Sequence, residues 1–441
     1  MIVKKWKKYS PVEAPIWSCF CFFGKKEVYQ KMKQLSRMIL MGGLLAMTAF
    51  STSACSMGAK EYVVGTPVKV GLICLHDSQS TYDKNFIDGM EEAVQALGER
   101  VDGAAIIKTG VDENDDCYKA AKNLVRQGCN VIFADSFGHE EFMLKAAKKW
   151  PQVTFCHATG TKAKVAGVSN YHNAFASIYE GRYLAGYAAG LKLAKMIPDL
   201  KPANYDGTNI KLGYVGAFPY AEVVSGYTSW FLGVKAVVPN VVMDVTFTSS
   251  WYDFNAEKAG ARNLIDRGCA LISQHADSMG APGECETAGV PNVSYNLALS
   301  KECPKTFTSF SKINWAPYYQ EVINSMFEGR SIIGEVNNNF TGTLATGSVE
   351  YDVVDAADKL ICEQIKEQLE DGSRKVFDCA NFTVKGQHLT EYLADVDDMG
   401  DFAPETNVIK TEGGITFFDE SSLRSAPYFD IKIDGITQLN V

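Results

Sequence analysis

Short apolar runs alternate with longer amphipathic stretches from Lys69 to about Gly329. The first run, Lys69 to His76, predicts a strand; a polar loop follows, and a helix is expected from about Asp83. Strands buried on both faces of a parallel sheet read as near-continuous apolar runs of this kind. Further strands are predicted near 104–109, 130–135 and 153–157, and again near 211–216, 241–248, 270–274 and 292–296. Helical segments separate them, which implies βαβ units and parallel sheets. The stretch Ile178 to Gly190, rich in small residues, predicts a helix that carries the chain into a second lobe. Asn314 to Tyr319 opens a helix leading back; its Pro317 suits an early helical position.

The pattern is duplicated. Asn123-Leu124-Val125-Arg126-Gln127-Gly128-Cys129 recurs as Asn263-Leu264-Ile265-Asp266-Arg267-Gly268-Cys269. Each copy ends a helix at Gly, the usual terminator, before a strand. Asp135-Ser136 follows the first of these strands and Asp277-Ser278 the second; the opening Lys69-Val70-Gly71 returns as Lys211-Leu212-Gly213. A repeat of this length and order marks an internal duplication. The fold expected is α/β: two doubly wound parallel-sheet lobes with a cleft between them, where ligand pockets are favoured. The expected boundaries are an upstream and signal segment over 1–55, a linker over 56–68, lobe 1 over 69–177 and 315–345, lobe 2 over 178–314, and a C-terminal extension over 346–441 packed on the lobes. In that extension Asp355 to Leu369 predicts a helix, and Gly413 to Asp419 and Tyr428 to Ile433 predict edge strands or docked tails.

Ligands of open parallel sheets bind beyond the carboxyl ends of the strands. Asp77, Tyr82 and Phe86 fall there after the first strand. They offer a carboxylate for N–H or hydroxyl donors and two aromatic faces for a flat ring. Taken alone, the stretch also reads as a solvated loop with Phe86 in the helix core. Phe137, Phe218, Trp251, Tyr252 and Trp315 recur near other strand ends, with Asp253, Gln274, Asp277 and Asn296 beside them. As a set in both lobes they predict a lined cleft. An aromatic from each lobe would couple ring binding to lobe closure.

The 441 residues carry a net charge of −9, and no basic stripe follows the start of the chain. Phosphate binding needs a basic face, so a nucleic-acid partner is not expected. Lys31, Lys33 and Arg37 precede an apolar stretch from Met38 that is too short to span a bilayer. Small residues Ser51 to Ala54 then lead to Cys55. This resembles a bacterial lipobox with Thr52 in place of the usual Leu, and makes Cys55 the expected lipidated first residue of the mature protein. A diacylglycerol anchor would hold it at the extracytoplasmic face of the cell membrane; simple secretion is the other reading. Residues 1–30 match no export element, and the start codon is expected at Met32 or Met38.

The chain has no Gly-x-Gly-x-x-Gly, phosphate-loop, Gly-x-Ser-x-Gly or His-Glu-x-x-His motif, the usual signatures of nucleotide, hydrolase and zinc chemistry. No catalytic residue, metal site or cofactor is expected. Asp112-Glu113-Asn114-Asp115-Asp116 lacks the ligand spacing of a calcium loop and reads as a helix start. Cys129 and Cys269 read as buried thiols. Cys285/Cys303 and Cys362/Cys379 are the pairs offered as disulfides, which export permits.

Several stretches together resemble one family: Asp83-Lys84-Asn85-Phe86, Tyr179 to Gly186, Gly233 to Asn240, Ser250-Trp251-Tyr252-Asp253, Gln274-His275-Ala276-Asp277-Ser278 and Asn314 to Tyr319. In this order they resemble the basic membrane protein family of lipoproteins, substrate-binding components of ABC importers similar to purine-nucleoside receptors. The resemblance runs from about Lys69 to Gly329. It implies a type I periplasmic-binding-protein fold, a small-molecule ligand of purine or nucleoside type, an ABC permease as partner, and no enzymatic activity. It also implies roles: Phe86 stacks on the base, Asp77 contacts the ligand and Asp277 reads the ribose. Tyr82, Phe137, Trp251, Asn296 and Trp315 complete the expected ligand set. The departures are Asn85 for the motif Ser, Ser78-Gln79-Ser80 for Gly-rich residues, Asn296 where Asp is common, and no Trp near Ser80. The alternatives are a surface sensor or enzyme using the same cleft, or a sugar-type ligand.

Overall fold

The computed structural model describes residues 60–396 and 404–440; the expected signal segment and Cys55 lie outside them. The first sheet is built from β1 (Val70–Ile73), β2 (Ile106–Lys108), β3 (Val131–Ala134), β4 (Thr154–Ala158) and β5 (Tyr171–Ala176). Helices α1 (Thr81–Leu97), α2 (Asp115–Arg126), α3 (Glu140–Lys149) and the short α4 (Ala163–Ala166) connect them. The strands run parallel in the order β2-β1-β3-β4-β5. Every residue of β1 and β3 is buried, as their unbroken apolar runs require.

Helix α5 (Ile178–Met196) leads into lobe 2. There β6 (Ile210–Gly216), α6 (Ala221–Val237), β7 (Val241–Phe247), α7 (Phe254–Asp266), β8 (Ile272–His275), α8 (Gly280–Ala288), β9 (Asn292–Tyr295) and β10 (Phe307–Ile313) follow. They repeat the same strand order, β7-β6-β8-β9-β10. The eight predicted strands are all present, and β5 and β10 add a fifth to each lobe. Helix α9 (Ala316–Glu328) returns to pack on α1. Strands β11 (Glu335–Val336) and β12 (Asn339–Gly342) then extend the first sheet beyond β5, and β13 (Val349–Val353) lies antiparallel beside β10. Each sheet is therefore mixed, parallel at its centre with one antiparallel pair at its edge.

The duplicated motif has a packing reason. Gly128 and Gly268 hold φ of +89° and +87°, the left-handed turn that lets Cys129 and Cys269 donate their N–H groups back to Leu124 and Leu264. A Cβ on Gly71 would stand 2.9 Å from the Leu124 side chain, and one on Gly213 would stand 3.1 Å from that of Leu264. The glycine of each opening strand thus lets the helix that ends in the repeated motif, α2 in one lobe and α7 in the other, sit directly on the sheet. Asn114 caps α2, with Asp115 and Asp116 in its first turn, the helix start read from that acidic cluster.

The extension is woven into lobe 2 more than packed upon it. Besides β13, helix α10 (Ala356–Glu370) packs on α5. Strand β14 (Leu393–Ala394) pairs with β15 (Thr406–Asn407), β16 (Ile409–Glu412) pairs with β17 (Ile415–Phe418), and β18 (Ile436–Gln438) runs parallel to β7 at the sheet's outer edge. Tyr428 to Ile433 is a docked tail without strand pairing. The nine described cysteines are buried free thiols, so neither Cys285/Cys303 nor Cys362/Cys379 is bridged.

Three crossovers join the lobes side by side. Ser177 donates its N–H to Gly342 O at 2.8 Å, and Asn314 donates to Ser348 O at 2.8 Å. Glu180 accepts the Leu344 N–H at 3.1 Å. The first two were expected near Tyr179 and Trp315; the third, between β12 and β13, was not.

Candidate functional site

The cleft lies beyond the carboxyl ends of the strands, where β1 and β6 each have neighbours on both sides and the crossovers diverge. The empty space in it, solvent at the mouth included, is about 360 Å3. Leu75, His76, Tyr82 and Asp83 line it from the first loop and α1. Ser136 and Phe137 come after β3, Thr159 after β4, Glu222 from the start of α6, Trp251 after β7, and His275 and Asp277 from the end of β8. The lobes meet across it: His76 and Tyr252 ring centroids are 5.6 Å apart, and Phe137 and Tyr220 are 5.8 Å apart.

On the lobe 1 side, Ser80 caps α1 and points Asp83 inward. Its Oγ accepts the Asp83 N–H at 3.2 Å and donates to Asp83 Oδ2 at 2.6 Å, while the His76 N–H donates to Oδ1 at 2.7 Å. Burial pushes the Asp83 carboxyl up, but the hydrogen bonds from His76 and Ser80 outweigh it and hold it below its ordinary value. Behind it, burial and the Asp83 charge push Asp135 well above the carboxylate range. Tyr82 donates its hydroxyl to Asp135 O at 2.9 Å, which fixes its ring. Ligand atoms of Cys74, Asp83 and Asp135 lie within 4.8 Å of one another. Burial pushes the Cys74 thiol up as well.

On the lobe 2 side, His275 Nε2 lies 3.2 Å from Glu222 Oε1. Burial lowers the His275 pKa, so the ring is neutral and its Nε2–H serves Glu222. Arg182 is fully buried behind it, donating to Gln274 O at 3.0 Å and stacked 3.6 Å from the Tyr295 centroid. Asp277 is 4 % exposed, and among the described residues no group donates to its carboxylate. Burial first, then the charges of Asp83, Glu257 and Glu222, push it well above its ordinary pKa. Among the described residues neither Lys nor Arg lines the cleft. The site therefore offers hydrogen-bond acceptors and flat apolar faces, and nothing for a phosphate.

Of the residues expected at the ligand, Tyr82, Phe137, Trp251 and Asp277 line the cleft. Asp77 is exposed and turned away, accepting the Gln79 N–H at 2.9 Å in a surface turn. Phe86 and Trp315 lie behind the lining, buried and stacked on each other at 4.2 Å, with Tyr82 4.9 Å from Phe86. Asn296 is buried after β9 at φ +64°, outside the lining. Asp83, Glu222, His275 and Thr159 were missed. The duplication carried a signal for Glu222, since α6 opens in lobe 2 where α1 opens in lobe 1. Thr159, at φ +62° after β4, is the counterpart of Asn296 after β9; only the lobe 1 member reaches the cavity.

Two lobes of matching topology around such a cleft make a type I periplasmic-binding-protein fold. A family model described as ABC transporter substrate-binding protein PnrA-like matches residues 70–381, and the chain belongs to that family. It is thus a substrate-binding component of an ABC transporter, taking a small molecule, and not an enzyme. A purine-binding protein of Brucella abortus is 32 % identical over 266 residues, covering 60 % of this chain and 67 % of that one. A protein of Haloferax volcanii named as a candidate ABC transporter glucose-binding protein is 29 % identical over 239 residues, 54 % of this chain and 56 % of that one. The chain spans a little over half the length of that second relative. Among solved structures, an ABC transporter solute-binding protein from Conexibacter woesei superposes with a TM-score of 0.55 at 19 % identity, covering 70 % of this chain and 98 % of that one. A transcriptional activator of the comK gene from Bacillus halodurans matches equally, TM-score 0.55 at 17 % identity over 69 % and 99 %. These two show the fold. Among the described residues no helix is long and apolar enough to cross a membrane.

Proposed function

We propose that the protein captures a purine nucleoside between its lobes and hands it to the permease of an ABC importer. The observation that carries this reading is Asp277: a buried cleft carboxylate with no protein donor, facing a space walled by Phe137 and Trp251. Such a group calls for a ligand that brings its own N–H or hydroxyl donors, and the aromatic walls call for a flat ring. A nucleoside supplies both. The purine-binding relative from Brucella supports the ring half of this reading. Tyr82, Phe137, Trp251 and Asp277 make the contacts, Asp83 and Glu222 accept further donors, and Phe86 acts from behind by bracing Tyr82. Cys55 carries the lipid that tethers the protein at the outer face of the membrane.

Calorimetry with adenosine, guanosine, adenine, adenosine monophosphate and glucose tests the ligand. The nucleosides are expected to bind tightest, the free base more weakly, and the monophosphate at least about tenfold more weakly because its charge meets only carboxylates. Binding of glucose alone would transfer the site to sugars. For the anchor, Cys55→Ala should move the protein from the membrane fraction to the soluble fraction or leave it unprocessed. Unchanged processing and membrane retention would reject it.

A further inference from the structure

Outside that cleft, both lobes and the C-terminal segment build a second, wider and open chamber, with about 1480 Å3 of empty space when the solvent at its mouth is included. It shares Phe137, Thr159, Glu222 and Trp251 with the inner cleft, so the two adjoin across those four side chains. Its far wall is Tyr392, Leu393, Arg424 and Tyr428. Those residues lie past residue 381, where the family match ends, whereas every residue lining the inner cleft lies within it. The outer chamber is thus completed by residues beyond the family match.

We propose that this chamber is a second binding subsite, which takes an uncharged ring or aliphatic group carried by the nucleoside held in the cleft; the inference rests on the nucleoside reading above. Three large apolar side chains converge on it with nearly half their surface open: Phe137 at 46 %, Tyr220 at 47 % and Leu393 at 45 %. Converging exposed apolar groups mark a binding surface, and the four side chains shared with the cleft place it where the outer part of the same ligand would emerge. The wall is held in place before any ligand arrives. Tyr392 donates its hydroxyl to Asp430 at 2.6 Å, and Leu393 pairs with Asn407 across the two-stranded β14–β15 sheet. A wall already ordered costs little on binding. The charge pattern disfavours an anionic group, with three carboxylates against one guanidinium in the lining. Glu222, Asp395 and Asp430 line the chamber, while the Arg424 guanidinium donates to the Ala426 and Pro427 carbonyls at 3.2 Å each.

The test is calorimetry on the purified full chain with adenosine, 6-benzylaminopurine riboside and 5′-O-benzyladenosine, which send one benzyl group out from either end of the nucleoside. At least one benzyl compound should bind about tenfold tighter than adenosine. Leu393→Asp should remove most of that gain and leave adenosine within about twofold; Leu393→Ala, which keeps the fold with smaller disturbance, should remove part of it. If neither benzyl compound exceeds adenosine, or if Leu393→Asp and Leu393→Ala weaken adenosine as much as the benzyl compounds, the subsite is overturned while the nucleoside reading stands. If none of the three binds, the nucleoside reading falls and the subsite with it.

Discussion

The backbone N–H of Thr81 donates to the carbonyl oxygen of Asp277 at 2.9 Å. One residue opens a helix of lobe 1 and the other follows a strand of lobe 2, so this bond spans the cleft and fastens the lobes in a closed arrangement. It can be deleted cleanly. Thr81 is the first residue of α1, where proline is tolerated, and Ser80 before it is extended at φ −73° and ψ 129°, as a residue preceding proline prefers. Thr81→Pro should therefore remove one donor without breaking the helix. Small-angle scattering should show a larger radius for the ligand-free variant than for wild type, and ligand affinity should fall by about tenfold or less. An unchanged radius would mean that the ring contacts across the mouth suffice to keep the lobes together.

Asp277→Ala separates binding from stability. The carboxylate is buried and receives no protein hydrogen bond, so its loss should leave the melting temperature unchanged or raise it at neutral pH. A hydrogen bond to a buried carboxyl contributes about 0.5–1.5 kcal/mol when the group is neutral and about 1.5–3 kcal/mol once it is ionised, so nucleoside affinity should drop roughly two- to a hundredfold, with a smaller loss for the free base. Calorimetry on both compounds decides; equal losses would detach Asp277 from the sugar.

Phe86→Ala should act through packing. Its ring sits in a buried stack with Trp315 and Tyr82, and truncating a buried Phe costs about 3–5 kcal/mol. Urea denaturation should report that loss. Phe86→Leu should recover much of the stability while ligand affinity, governed by how well Tyr82 is braced, recovers less. If Phe86→Leu restores stability and leaves affinity unaltered from wild type, the bracing role is gone.

Glu420 sets a pH dependence. Its carboxyl is fully buried, accepts the Ser225 hydroxyl at 2.6 Å through one oxygen and has no partner for the other. Burial raises it from 4.5 to about 7. A folded-state pKa above the unfolded one gives a contribution that is fully present below about pH 4.5 and lost as pH rises through about 7. Glu420→Gln keeps the neutral shape at every pH. It should match wild type near pH 5 and exceed it at pH 8, by on the order of 2 kcal/mol. Thermal melts at the two pH values check this; an equal shift at both would show that another group titrates.

The apolar strands and the duplication were legible because two-sided burial and helix termination leave direct marks on residue type. Strand β5 was not. His172 and Asn173 look like loop residues until the fold supplies Glu335 to the imidazole at 2.9 Å and the Ala163 N–H to the Asn173 carbonyl at 2.7 Å. The choice between Asp77 and Asp83 was equally hidden. Both follow β1, and only the local geometry, a surface turn at Gln79 and a Ser80 cap, turns one outward and the other in. Phe86 and Trp315 satisfied the aromatic pattern of a binding wall, but each found the other first. Tyr82, Phe137, Trp251 and Asp277 reach the cleft because the residues after the strand ends had room to point inward.

The pairing of β18 with β7 bears on how the protein is made. During synthesis and export β7 emerges long before its outer partner, so lobe 2 carries an open sheet edge until β18 arrives. Open edges recruit other chains, and partly folded species with such edges aggregate. The segment around Ile436 therefore acts as a late stopper on lobe 2, and the interval before it docks is when a chaperone would be needed most.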